Sequence, residues 1–140
     1  MVTMKQFLLD TDICIEIFKH NEKVLSKISE VGETNCFITE ITIAELFYGA
    51  AKSGREEHYE DVALILKLFD VIPLFSSLRL YGINKYKLEK QKKTIGEFDL
   101  LIGSCAVHNN MVMVTSNIKH YVNVPRIAIE DWAEKSKFNK

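Results

Sequence analysis

Short apolar runs alternate with longer stretches of helical spacing from Phe7 to Trp132, and this alternation constrains the fold more than any other feature of the chain. Phe7–Leu9 is an apolar run closed by Asp10, which predicts a buried strand. Ile13–His20 follows with helical spacing and Asp12 as its cap, and a second helix is predicted over Glu22–Ser29. The turn Gly32–Asn35 leads into a strand at Cys36–Thr39. Helices are predicted over Ile41–Lys52, closing near Gly54, and over Glu56–Phe69. Val71–Leu74 reads as a strand, and Pro73, which offers no N–H to a ladder, places it at the sheet edge. Ser76–Lys93 and Glu97–Asn109 read as helices, the first despite Gly82. Met111–Val114 is apolar throughout and reads as a central strand. Val124–Ile129 predicts a last short strand, and Glu130-Asp131-Trp132 the start of a terminal helix. Strands alternating with helices in this way predict an α/β fold, with a parallel sheet of four to five strands and helices on both faces.

The 140 residues match the size of one domain, taken as 1–140, and the 47% apolar content is enough for one sizeable core. No linker, repeat or low-complexity segment divides the chain. The net charge of -1 excludes a purely basic nucleic-acid binder. Any action on RNA would need local cationic patches and a metal ion. No apolar run approaches the roughly 20 residues that cross a bilayer. The N-terminus has neither the length nor the cleavage site of a signal peptide. A cytoplasmic protein with no membrane contact is expected. Cys14, Cys36 and Cys105 are far apart, each within or beside an apolar segment. They read as buried free thiols, with no paired spacing for zinc.

In open α/β sheets, sites form beyond the carboxyl ends of the strands. Asp10 and Asp12 follow the first strand, and Thr39, Glu40 and then Glu45 follow the second. Thr115–Asn117 follow the fourth, and Asp99 lies in the first turn of a helix, where the dipole favours a carboxylate. Each acid has an ordinary alternative: a turn residue at Asp10, a solvated helical acid at Glu45, a helix-start acid at Asp99. Yet Asp10 and Asp12 flank a single residue at a buried strand end, and Glu45 lies on a weakly polar face beside Ile41, Thr42, Tyr48 and Gly49. Leu100-Leu101-Ile102 after Asp99 mark a buried segment. Clustered acids raise one another's pKa unless a cation compensates, and hard oxygen ligands suit Mg²⁺ or Mn²⁺.

With these residues placed, the chain resembles the PIN-domain family, and within it the VapC-type toxins of type II toxin–antitoxin pairs. Phe7-Leu8-Leu9-Asp10-Thr11-Asp12 is similar to the family's opening strand and turn. Ile41-Thr42-Ile43-Ala44-Glu45-Leu46-Phe47-Tyr48-Gly49-Ala50 is similar to its acidic helix. Phe98-Asp99-Leu100-Leu101-Ile102-Gly103, Val114-Thr115-Ser116-Asn117 and Ile129-Glu130-Asp131-Trp132 match later segments in order. Each motif is weak alone; five in sequence are specific. The resemblance implies a metal-dependent endoribonuclease in which Asp10, Glu45 and Asp99 hold the cation and Asn117 is the fourth site residue. Thr11 and Thr115 would support the cluster by hydrogen bonding.

Two departures stand out. Position 12 is Asp where the family most often has Asn, and position 120 is His where many members have another acid. Asp12 could replace the missing charge, and His120 could contact a phosphate. Glu97, two residues before Asp99, has no assigned place. Lys119 and the basic run from Lys85 to Lys93, with Lys92 and Lys93 at its end, are candidate RNA-phosphate contacts or simply a solvated helix face. The family further implies a cognate antitoxin, for which Phe47, Leu64 and Leu68 are candidate contacts if they are not core, and a homodimer. Three other readings stay open. One is a haloacid-dehalogenase-like phosphatase with Asp10 as nucleophile, which Cys14 disfavours. The second is a degenerate module that binds RNA or a partner without cutting, and the third is a housekeeping RNA-processing nuclease of the same family.

Overall fold

A computed structural model describes residues 4–134. Five strands form one sheet among the described residues: β1 (Phe7–Leu9), β2 (Cys36–Ile38), β3 (Asp70–Val71), β4 (Val112–Val114) and β5 (Ile129–Glu130). All neighbours are parallel, in the order β3-β2-β1-β4-β5. Their connections carry α1 (Thr11–Phe18), α2 (Glu22–Val31), α3 (Glu40–Ser53), α4 (Glu56–Leu68), α5 (Leu78–Lys90), α6 (Glu97–His108) and α7 (Ile118–Tyr121).

β1 is central and apolar at every position because both its faces are covered. Phe7 and Leu9 pack with Ile13, Val24, Leu46 and Ile65 from α1 to α4, whereas Leu8 turns to Ile102, Met113 and Tyr121. A third cluster, Leu88, Leu100 and Val124, fixes α5 on α6. Cys14, Cys36 and Cys105 are buried free thiols, as expected.

Local chemistry moves several boundaries. The first helix begins at Thr11 and not Ile13, and its cap is Asp10, whose side chain accepts from Thr11 N. Asp12 is thus a first-turn residue, not the cap. β3 does lie at the edge but stops before Pro73, where the ladder N–H runs out. α5 starts at Leu78, after a 3₁₀ turn over Phe75–Ser77. The predicted strand over Val124–Ile129 shortens to β5, since Pro125 and the left-handed Arg126 (φ 68°) keep the chain out of extended pairing. No helix starts at Glu130: Glu130 belongs to β5, and residues 131–134 bend irregularly. The rest of that predicted helix falls outside the described residues.

Candidate acidic site

β1, β2 and β4 all end on the same side of the sheet because they run parallel, and the segments that leave them carry the acids. Asp10 leaves β1 with 6% of its surface exposed. One of its carboxylate oxygens accepts from Thr11 N (2.9 Å), and the other from Thr115 Oγ1 (2.9 Å), in the segment after β4. Thr115 is itself fully buried and accepts from Asn117 N (3.0 Å), which aims its proton at Asp10. Asp12 Oδ2 accepts from Ser116 N (2.9 Å) and lies 3.4 Å from Thr115 Oγ1.

Glu45 comes from the second turn of α3. That helix is capped by Thr39, the residue after β2, whose hydroxyl accepts from Thr42 N (3.3 Å). The cap orients the helix so that Thr11 Oγ1 donates to Glu45 Oε1. Asp99, half-buried in the first turn of α6, accepts from the Tyr121 hydroxyl (3.3 Å) and lies 3.4 Å from His120 Nδ1. The Tyr121 hydroxyl also hydrogen-bonds Asp10, so this fully buried ring links two of the acids.

The electrostatics follow from this crowding. Burial pushes the Asp10 carboxyl up, and the negative charge of Asp99 adds to it, against hydrogen bonds from Thr11, Thr115 and Tyr121. Burial also raises Glu45, with further repulsion from Asp10 and Asp99. Burial, then the charge of Asp10, pushes Asp12 up to about 6. Burial beside these anions raises Tyr121 as well, so its hydroxyl keeps the proton it donates. Asp12 Oδ1 is buried with no hydrogen-bond partner, a costly state for a carboxylate oxygen. Among the described residues no three His, Cys, Asp or Glu side chains already close around one point. The donor set nevertheless fits a hard divalent cation: it consists of carboxylate oxygens, three of its acids are raised by mutual charge and burial, and one buried oxygen is unpaired.

Asp10, Asp12, Thr11, Glu45, Asp99, Thr115 and His120 lie in one region, linked by the hydrogen bonds and the close pair given above. Asn117 enters differently: its backbone N–H supports Thr115, while its side chain is exposed and does not bond the acids. Lys119 lies exposed on α7 next to His120, and Lys92 and Lys93 are exposed just past the end of α5. Glu97 is not part of the cluster; it accepts from the Tyr81 hydroxyl and from Lys85 Nζ, tying α5 to α6 on the surface. Of the proposed partner contacts, Phe47 and Leu64 are exposed, whereas Leu68 packs on the core. Tyr121, Ser116 and Asp131 had no role in the sequence reading, although Ser116 and Asp131 lie in segments quoted there and Tyr121 directly follows His120.

A five-stranded parallel α/β domain with acids gathered beyond the carboxyl ends of its inner strands defines a class of fold and the place of its site, and does not by itself name an activity. The chain belongs to the PIN-domain family, whose model matches residues 7–124. It is 32% identical over 130 residues to "Ribonuclease VapC2" of Rickettsia felis, covering 90% of this chain and 97% of that one. It is 28% identical over 131 residues to "tRNA(fMet)-specific endonuclease VapC" of Salmonella typhimurium, covering 92% and 99%. Among solved structures, VapBC2 from Rickettsia felis bound to a DNA fragment from its promoter aligns with a TM-score of 0.83 at 32% identity, over 90% of this chain and 98% of that one. VapBC-1 from nontypeable Haemophilus influenzae aligns with a TM-score of 0.79 at 28% identity, over 91% and 98%.

Proposed function

We propose that this chain is the toxin of a type II toxin–antitoxin pair, an endoribonuclease that hydrolyses RNA phosphodiester bonds with Mg²⁺ or Mn²⁺ held by Asp10, Glu45 and Asp99. The observation that carries this reading is the convergence of acids from β1, α3 and α6 on one region, in a chain whose relatives are named ribonucleases. A bound divalent cation supplies neutralisation of phosphate charge and a lowered pKa for water. The chain's own groups do the rest. Thr11 N and Thr115 fix the two oxygens of Asp10, Thr11 Oγ1 orients Glu45, and Tyr121 holds Asp99. Asp12 supplies the extra negative charge that offsets a histidine at position 120. His120 and Lys119 meet phosphates beside the cleft, and Lys92 and Lys93 meet them farther along the strand.

The antitoxin partner follows from the relatives solved as VapBC complexes. A cleft of about 360 Å³ between α1, α3 and α4 is lined by Thr11 and Glu45 at the acidic end and by Ile15, Phe18, Leu46 and Val62 along its length. Together with Phe47 and Leu64, exposed on the α3 and α4 helices that line the cleft, this is the surface we assign to the antitoxin. A second copy of the chain is the other expected partner, which sedimentation of the purified protein would reveal. Among the described residues no helix is long and apolar enough to cross a membrane, and a cytoplasmic site of action fits an RNA substrate.

The test is cleavage of RNA by the purified chain in Mn²⁺, with the RNA ends sequenced after brief expression beside an Asp10→Ala control. Cleavage should vanish in EDTA and in Asp99→Asn. Activity that persists in excess chelator, or that survives intact in Asp99→Asn, overturns the reading.

A further inference from the structure

We infer that Asp131, beyond the reach of the family match, is a positioning residue for the acid cluster and acts through Ser116 on Asp12. The inference rests on the proposed cation site, and it begins from the Glu130-Asp131-Trp132 ending. Three contacts anchor this ending. Glu130 O accepts from Thr115 N (3.0 Å) as β5 pairs with β4. The Trp132 ring, almost wholly buried, packs 5.1 Å from the Phe7 ring of β1, and its Nε1 donates to Glu130 Oε1 (2.9 Å). Asp131 is thus held between a strand and a buried anchor, and its Oδ1 accepts both Ser116 Oγ (2.7 Å) and Glu134 N (2.9 Å).

Ser116 has two ends. Its hydroxyl is bound by Asp131, and its backbone N–H donates to Asp12 Oδ2 (2.9 Å). The residue before it, Thr115, donates to Asp10. The segment after β4 therefore presents two donors to the two acids after β1, and Asp131 is the fixed point against which that segment is set. A charge-assisted bond of this kind is stronger than a neutral one. Its removal frees Ser116 to rotate, and Asp12 loses its best-aligned donor. Asp12 also carries the unpaired buried oxygen, so its orientation decides whether that oxygen is available to a cation. Groups that orient ligands in this indirect way typically change metal affinity roughly 10- to 100-fold when removed.

The experiment compares Asp131→Ala, Asp131→Asn, Ser116→Ala and the double Ser116→Ala/Asp131→Ala with the unaltered chain. Two quantities are read: Mn²⁺ affinity by electron paramagnetic resonance, and exchange of the Ser116 amide proton in EDTA. Asp131→Ala should weaken Mn²⁺ binding at least about tenfold and speed Ser116 exchange, with Met113 in β4 unchanged. Asp131→Asn, which keeps an acceptor for the Ser116 hydroxyl, should restore most of both. Ser116→Ala should weaken Mn²⁺ binding and speed exchange in the same direction, and the double variant should be no worse than Asp131→Ala, because the Ser116–Asp131 bond is already lost there. Unaltered Mn²⁺ affinity in Asp131→Ala, or additive losses in the double variant, overturns the inference. Should Asp131→Ala fail to fold, Ser116→Ala decides the matter alone. An unaltered chain that binds no Mn²⁺ refutes the cation reading; slowed or unchanged Ser116 exchange in the variants then refutes the positioning role, and faster exchange supports it.

Discussion

Asp12→Asn should make the protein more stable at neutral pH, although it lies in the functional region. Asp12 has its carboxyl pushed up to about 6 in the folded chain, from 3.8 for a free side chain. The folded state thus holds this proton more tightly than the unfolded state does. Below about pH 4 both states are protonated and the group contributes nothing. As pH rises toward 6 the unfolded chain releases the proton first, and above that the folded chain carries a carboxylate it would prefer neutral. The difference between about 6 and 3.8 corresponds to about 3 kcal/mol of lost stability at pH 7.5, an upper value because water and ions reach a partly exposed group. Asparagine keeps an oxygen to accept from Ser116 N and removes the charge. Urea denaturation in EDTA should show Asp12→Asn more stable by about 1–3 kcal/mol at pH 7.5 and nearly equal to the unaltered chain at pH 3.5. Saturating Mn²⁺ should narrow the gap at pH 7.5, because a cation stabilises the carboxylate that Asn lacks. A gain that is absent at pH 7.5, or as large at pH 3.5, would refute the assignment of the cost to a buried charge.

Thr115→Val removes the hydroxyl that faces Asp10 and should destabilise the chain by about 1–3 kcal/mol through an unpaired buried acceptor, whereas Thr115→Ser should retain most of it; chemical denaturation separates the two. Lys119→Ala, Lys92→Ala and Lys93→Ala should each raise KM for RNA severalfold with kcat little changed, and each lost phosphate contact should reduce the salt dependence of binding by about one unit of log–log slope.

Asp10 and Glu45 could be singled out in the sequence because each follows an apolar segment at or just past a strand end, and Asp99 because an apolar run follows it in the first turn of a helix. The hydroxyls of Thr11 and Thr115 were legible for the same reason, being next to the acids. What escaped was long-range. Tyr121 sits one turn into a four-residue helix whose burial depends on α6 packing across it, and a tyrosine after His120 has no local sign of facing Asp99. The bond from Ser116 to Asp131 spans 15 residues and exists because β5 runs beside β4. Glu97 had no assigned place because spacing alone cannot tell which side of a first turn meets α5. The mistaken terminal helix has a similar origin: Glu130-Asp131-Trp132 has helix-starting residues, but pairing with β4 claims Glu130 for the sheet. Pattern gives periodicity, whereas pairing across the sheet is decided by the whole chain.

The central position of β1 also sets when the protein can become active. Phe7 to Leu9 pair with Cys36 and Phe37 on one side but with Val112 to Val114 on the other, so the first strand made waits for nearly the last. Until β4 leaves the ribosome, Asp10 lacks Thr115, Asp12 lacks Ser116, and Asp99 lacks Tyr121. A nascent chain halted before Val112 holds the acids in sequence but not in space, and should be harmless to the RNA that surrounds it during its own synthesis. A series of stalled chains of increasing length, assayed for cleavage while still tethered, should stay silent until the residues around Asp131 emerge.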